Sequence, residues 1–387
     1  MTAISHSHEP RKKVVIICRV IRQYRQEFFE RLKANLALEN IDLELIDGFP
    51  DSKVAATMDT VTIPWSKQIA ARELSIAKRK LYWQPCFREI LNADLVVVIQ
   101  SSNLLFNYFL VMLQTLGLKK VAFWGHGKNF QGHQASGVGE YIKKLYSTKV
   151  HWWFAFTRLS ADVVKQLGYP SERITVVQNS INTNQIIEFY NSLSDSDLDR
   201  VRQDLGLTGN NVCIYTGGMY PEKRLPFLIE ACQLIRQEIP DFEMLFIGSG
   251  KDKETAIQAA QKYSWIHYLG PKFNQDKVPY FKLSKLLLMP GLVGLAIVDS
   301  FAMAVPLITT AVDFHSPEID YLEDGVNGCS VQETDNPKAY AQKVISLLKH
   351  PTELEALREG CRHSAQTYTI ETMAHNFSSG IVSALKH

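Results

Sequence analysis

The chain has 387 residues, 46% of them hydrophobic and 21% charged, with a formal net charge of +2. That length exceeds one ordinary core and suits two domains. The balanced charge gives no bulk electrostatic reason to expect nucleic acid. Cys18, Cys86, Cys213, Cys232, Cys329 and Cys361 are scattered, form no C-x-x-C pair and include several set in apolar runs such as "VVIIC" and "NVCIY". They read as small core residues in a reducing compartment, which argues against a disulfide frame or a zinc site.

In chain order, the polar "MTAISHSHEPRKK" leads directly into the strand "KVVIIC", so neither signal peptide nor anchor is expected and the location expected is cytoplasmic. Arg19, Arg22, Tyr24 and Arg25 follow that strand at the carboxyl edge of its sheet. They suit an acceptor phosphate or sugar, or form a solvated basic loop. "KQIAARELSIAKRKLYW" (67–83) mixes Lys and Arg with Leu, Ile, Tyr and Trp in a helical pattern. It reads as a solvated helix face, or as one resting on an anionic membrane near a lipid-linked acceptor. "NLLFNYFLVMLQTLGL" (103–118) falls short of the roughly 20 residues of a membrane span and predicts a buried or interfacial helix. His126, between Gly125 and Gly127, ends the strand "KKVAFWG"; a lone His there is a structural hydrogen-bonder as readily as a catalyst.

Short β-branched runs continue through "IDLELID", "DLVVVIQ", "WWFAFT" and "ITVVQ", then "NVCIYTG", "EMLFIG", "WIHYLG", "KLLLMP" and "PLITT". Apolar strands alternating with amphipathic segments predict parallel sheets covered on both faces, so the expected fold class is α/β with two Rossmann-like, doubly wound domains facing a cleft. Asn, Ser and Asp clusters place the domains at 1–182 and 209–369, with a linker at 183–208. Asp195-Ser196-Asp197 lies in that linker before a helical pattern, where capping is favoured over metal binding.

Two segments of the second half carry the chemistry. In "IYTGGMYPEKRLPFLIEA" a strand ends at Gly217-Gly218 and a helix begins near Lys223; glycine permits close backbone approach, and a helix start with a cation suits a diphosphate. The alternative is a solvated lysine. In "PGLVGLAIVDSFAMAVPLITT" Gly291 and Gly294 let backbone amides approach a ligand, and Asp299 either accepts hydrogen bonds from vicinal hydroxyls or serves a helix start.

Together these segments resemble the donor domain of the GT-B glycosyltransferases, particularly glycosyltransferase family 4. "VVQNSINT", "YTGGMYPEKR", "FIGSGKDKE", "IHYLGPKFNQDKVPYFKLSKLLLMP" and "PEIDYLEDGVNG" follow the family's run, while "YRQEFFERL" and "FWGHGKN" resemble its acceptor-side helix and His loop. "TYTIETMAHNFSSGI" resembles its last helix, here 370–387, which returns to the first domain. The resemblance implies a retaining, metal-independent transfer with no cofactor, from a nucleotide-diphosphate sugar to a glycan or lipid-linked glycan. It implies that Gly217, Gly218, Lys223, Arg224, Gly291, Leu292, Gly294, Leu295 and Asp299 surround the donor. Lys223 and the "GLVGL" amides would stabilise the leaving diphosphate, Asp299 would bind ribose and His126 would stand near the donor sugar.

Two departures bear on activity. The family's first signature Glu falls on Gly291 and its phosphate-binding Arg on Gly218, with Arg224 as the candidate substitute. The competing reading is therefore a catalytically inactive nucleotide-sugar binder or a scaffold for a partner transferase. A third, sugar-nucleotide epimerisation, calls for acid–base carboxylates that the sequence does not identify.

Overall fold

The computed structural model describes residues 10–49, 60–76, 79–127 and 146–387. The chain divides into two compact units, residues 1–178 with 370–387, and residues 179–369.

The first unit contains β1 (Lys12–Ile17), α1 (Gln26–Leu38), β2 (Ile41–Asp47), β3 (Lys67–Gln68), β4 (Arg72–Ile76), β5 (Arg79–Trp83), α2 (Phe87–Ile90) and β6 (Leu95–Ile99). It continues with α3 (Leu105–Thr115), β7 (Val121–Gly125), β8 (Trp152–Ala155), α4 (Arg158–Gln166) and β9 (Ile174–Val176). Seven strands form one sheet in the order β3-β2-β1-β6-β7-β8-β9, every pair parallel. The residues after β1 and β6 therefore emerge where the strand order reverses, the usual place for a ligand in such a sheet.

The second unit runs α5 (Asn184–Ser192), α6 (Asp195–Leu205), β10 (Asn211–Gly218), α7 (Leu225–Glu238), β11 (Phe242–Ser249), α8 (Lys253–Lys262), β12 (Ile266–Tyr268) and α9 (Val278–Leu283). Then follow β13 (Leu286–Leu288), α10 (Ala296–Ala302), β14 (Leu307–Thr310), β15 (Gly328–Val331), α11 (Pro337–Lys349) and α12 (Pro351–Thr367). Its all-parallel sheet has the order β12-β11-β10-β13-β14-β15, which is the Rossmann order 3-2-1-4-5-6. Both units are thus the doubly wound α/β layers expected from the strand runs.

Two expectations change. Residues 67–83 hold β3 and the antiparallel hairpin β4–β5, with Leu74 opposite Leu81, Arg72 opposite Trp83 and an ion pair from Lys80 to Glu73 at 2.6 Å. Cross-strand pairing of apolar with apolar and acid with base overrides the helical spacing. Residues 183–208, expected as a linker, form α5 and α6 within the second unit. There Ser194 caps α6 in a reciprocal box with Asp197, so the Asp-x-Asp string serves the helix start.

The helix α13 (Ile370–Lys386) completes the core of the first unit. Phe377 stacks on Phe154 with ring centroids 4.2 Å apart and meets Trp124 and Phe28 edge-on at 5.1 and 5.4 Å. Gly380 allows this approach, since a Cβ there would lie 2.5 Å from Thr175 Oγ1 and 2.7 Å from the Phe154 ring. Truncating a buried aromatic removes its contacts and leaves a cavity. Phe377→Ala should therefore cost the first unit about 3–5 kcal/mol, while Leu38→Ala, at a residue 87% exposed, should fall within about 0.5 kcal/mol. Urea unfolding of both variants checks the contrast.

Candidate active site

The donor-side residues of the second unit lie on two loops, after β10 and after β13, the adjacent strands at which the sheet order reverses. The first loop leaves β10 through Gly217, whose φ of +132° favours glycine, and makes a 3₁₀ turn, Pro221–Lys223. Arg224, at φ +57°, separates that turn from α7, so Lys223 closes the turn and does not lie in the helix.

Lys223 is 5% exposed, and its Nζ donates to the carbonyl oxygens of Leu292 at 2.6 Å and Val293 at 3.0 Å. Burial pushes its ammonium down to about 8, with the nearby Glu318 carboxylate opposing the shift. Glu318 is itself buried and accepts a 2.6 Å hydrogen bond from Asn179 Nδ2. The solvated-lysine alternative is thereby excluded.

The second loop is packed onto the first. A Cβ on Gly291 would overlap the carbonyl oxygen of Glu222 and lie 2.7 Å from the carbonyl carbon of Lys223. The Leu292 amide donates to Glu222 O at 2.9 Å, and Leu292 is buried. The close backbone approach expected of Gly291 is thus made to the chain's own turn. No side chain fits there in this backbone.

Arg224 is also committed elsewhere. Its guanidinium donates to Thr310 Oγ1, Thr334 O and Asp335 Oδ1 at 3.2, 2.7 and 2.7 Å and covers the Phe227 ring. It does not replace the arginine missing at Gly218, whose own added Cβ would sit 2.8 Å from the Tyr220 ring.

Beyond Gly294 (φ +93°) and Leu295, α10 carries Asp299 into a buried position. Asp299 Oδ2 accepts from Lys277 Nζ at 2.6 Å, while Oδ1 is buried with no partner among the described residues. The Ser316 hydroxyl is likewise buried and unpartnered, and lies 3.6 Å from where a Cβ on Gly294 would stand. Unsatisfied buried acceptors are costly and mark places where a ligand atom fits. Lys277, His315, Ser316 and Glu318 are site residues that sequence reading missed. Lys277 and Glu318 lie inside quoted stretches with no local pattern to distinguish them.

In the first unit Arg25 is buried. Its guanidinium carbon lies 5.1 Å from the centres of both the Trp124 and Tyr24 rings and 5.8 Å from that of Phe156, and Nη1 meets Met373 Sδ at 3.3 Å. His126 packs edge-on against the same Phe156 at 4.4 Å. Tyr24, Arg25 and His126 are therefore gathered around one aromatic cluster. Arg19 stands over Tyr82 in a small pocket with Gln84 and Asn107, and Arg22 bridges to Thr60. Arg25 is consequently a buried group, and the solvated-loop alternative does not describe it. The rest of the His loop, from residue 128 to 145, lies outside the described residues.

Residues 210–350 match the family model "Glycosyl transferases group 1". The chain is 26% identical over 185 residues to spore coat protein SA of Bacillus subtilis, covering 44% of this chain and 48% of that protein. It is 21% identical over 160 residues to the O-antigen chain mannosyltransferase B of Escherichia coli, covering 39% and 41%. The chain thus spans about half, or less, of the length of these two relatives. HepE of Anabaena, crystallised with UDP and glucose, superposes with a TM-score of 0.69 at 15% identity, over 96% of this chain and 100% of that one. At this identity the likeness shows the fold, that of the GT-B glycosyltransferases.

Gly291→Ala should lower the melting temperature of the second unit, because overpacking against fixed backbone costs about 1–3 kcal/mol. Gly294→Ala, with 3.6 Å to its neighbour, should meet only the conformational penalty of its positive φ. Differential scanning calorimetry of the two variants measures the difference.

Proposed function

We propose that this chain, a glycosyltransferase by its group 1 domain, moves a sugar from a nucleotide-diphosphate sugar to a glycan or lipid-linked glycan, retaining the anomeric configuration and needing neither metal nor cofactor. The observation that carries the reading is the juxtaposition on adjacent loops of a buried ammonium, Lys223, and a buried carboxylate with one open oxygen, Asp299. A diphosphate meets the cation, and a ribose hydroxyl satisfies Asp299 Oδ1. The UDP held by HepE makes UDP the first base to test, and the mannosyltransferase relative favours a glycan acceptor.

Departure of the nucleoside diphosphate builds negative charge on a phosphate oxygen, and a fixed cation in a water-poor site stabilises it without reorganisation. Retention, and a place for His126 beside the donor sugar, rest on the family resemblance. Arg19, Arg22, Tyr24 and Arg25 are assigned to the acceptor side on the same ground.

The non-catalytic reading keeps one specific support, because both Lys223 bonds are already made to carbonyls and Gly291 admits no carboxylate. Titration calorimetry with UDP, GDP, ADP and TDP in the presence of a chelator separates the two. Binding of one nucleotide with turnover of its sugar supports transfer, binding without turnover supports the binder, and no binding overturns both and leaves the scaffold for a partner transferase. Lys223→Ala should lower turnover roughly 10²- to 10³-fold. Since Lys223 is charged below about pH 8, wild-type affinity should fall as pH rises through that value.

A peripheral membrane contact at the cytoplasmic face belongs to the same proposal. Among the described residues no helix is long and apolar enough to cross a membrane. On α2 and α3 and at their ends, however, Phe87, Leu91, Met112, Leu116 and Leu118 are 44–69% exposed. Phe87 packs on Phe109 at 5.2 Å, and Lys119 bonds Leu91 O at 3.0 Å, which makes these residues one face. Residues 67–120 hold eight Lys and Arg against three Asp and Glu, an excess of five where the whole chain's is two. Exposed apolar residues within a basic stretch of the chain suit anionic lipid. Sedimentation with phosphatidylglycerol vesicles should capture the protein, and Leu116→Glu with Leu118→Glu should release it; equal capture by neutral phosphatidylcholine would remove the charge argument.

A further inference from the structure

In the loop after β13 the backbone is held at Pro290, Leu292 and Val293. Thr310 Oγ1 donates to Pro290 O at 2.5 Å, the Leu292 amide donates to Glu222 O at 2.9 Å, and Lys223 Nζ donates to the oxygens of Leu292 and Val293. The remaining contact is made by His315, a buried residue outside the sequence motifs, whose Nδ1 receives the Val293 N–H at 3.3 Å. Its Nε2 lies 2.7 Å from Thr310 O. A carbonyl only accepts, so Nε2 carries the proton and Nδ1 offers a lone pair. The Leu292–Val293 peptide is therefore gripped at both ends, its oxygen by Lys223 and its N–H by His315.

We infer that neutral His315 is a positioning residue for the donor site: by fixing the plane of the Leu292–Val293 peptide it aims the Leu292 carbonyl at Lys223 and so sets where the ammonium stands. The role in donor binding rests on the nucleotide-sugar reading above. The grip itself does not.

The imidazole must stay neutral to do this, because a proton on Nδ1 would face the Val293 N–H donor to donor. Burial holds its pKa below the ordinary 6.5, and the Lys223 charge acts in the same direction. The other charged groups at this place are Arg224, which shares the Thr310 hydroxyl, and Glu318, whose carboxylate acts on Lys223. Lys223 remains charged throughout the acid range, so the acid-side change belongs to His315.

The test uses the full chain with His315→Leu, which removes both bonds, and His315→Gln, whose amide offers one donor and one acceptor without titrating. Two readouts are taken: UDP affinity by calorimetry from pH 5 to 7.5, and the rate of amine labelling at Lys223 without nucleotide, by mass spectrometry. His315→Leu should weaken UDP binding about 10²-fold, the effect of a small misplacement of a fixed group, and should raise Lys223 labelling. His315→Gln should stay within about threefold of wild type, less than one neutral hydrogen bond. It should also lack the wild type's extra loss of affinity below pH 6.5; the titration of UDP itself cancels in that comparison. Wild-type affinity and labelling in His315→Leu would overturn the inference, as would an unchanged acid-side loss in His315→Gln. If the wild type binds no UDP, the functional reading fails and the labelling rates alone decide whether His315 sets the place of Lys223.

Discussion

A single buried ammonium organises the donor side of this protein. Lys223 is almost wholly removed from water, and a charge so placed must be surrounded by dipoles or countercharge. Here two carbonyl oxygens supply the dipoles and Glu318 the opposing charge. To bring those carbonyls within reach, the loop after β13 must lie against the turn after β10, and only a residue without a Cβ permits that at position 291. The glycine at 291 and the buried lysine are therefore two aspects of one packing arrangement.

The sheet explains why this arrangement forms where it does. In the order β12-β11-β10-β13-β14-β15 the chain leaves β10 toward one face and β13 toward the other, which opens a crevice at their carboxyl ends. The loops carrying Lys223 and Asp299 leave the sheet at that crevice. Asp299 remains half satisfied, one oxygen paired with Lys277 and the other without a partner among the described residues, so the site retains a polar vacancy where a hydroxyl fits.

Much of this was legible in the sequence, for definite reasons. "NVCIYTG" coincides with β10 because a strand buried on both faces is continuously apolar, and "IDLELID" coincides with β2 because apolar and acidic residues alternate along it. Lys223, Gly294 and Asp299 were singled out by the strand-to-helix glycine turns together with the family resemblance. The hairpin at 72–83 was not legible, since Arg, Leu, Lys and Tyr at those intervals satisfy a helical period and a cross-strand pattern alike, and only pairing decides between them. The helical pattern of α6 was legible behind its Asp-x-Asp cap, but its membership of the second unit was not, since α6 has no buried residue at all. His315 could not be found by any local rule, because its role arises from a peptide 22 residues away. Arg25 misled in the opposite sense, since a basic residue just after a strand gives no sign that Trp124 and Phe156 will enclose it.

The helix Ile370–Lys386 closes the core of a unit whose other elements precede residue 179. On the ribosome the strands of that first unit emerge long before Phe377 exists to cover Phe154. The second unit, continuous from 179 to 369, has all its own elements first. Although translation runs from the amino end and domains usually mature in that order, here the later unit can reach its native core while the earlier one still exposes an aromatic face. The aromatic core of the earlier unit is therefore completed only after every element of the later one has been synthesised.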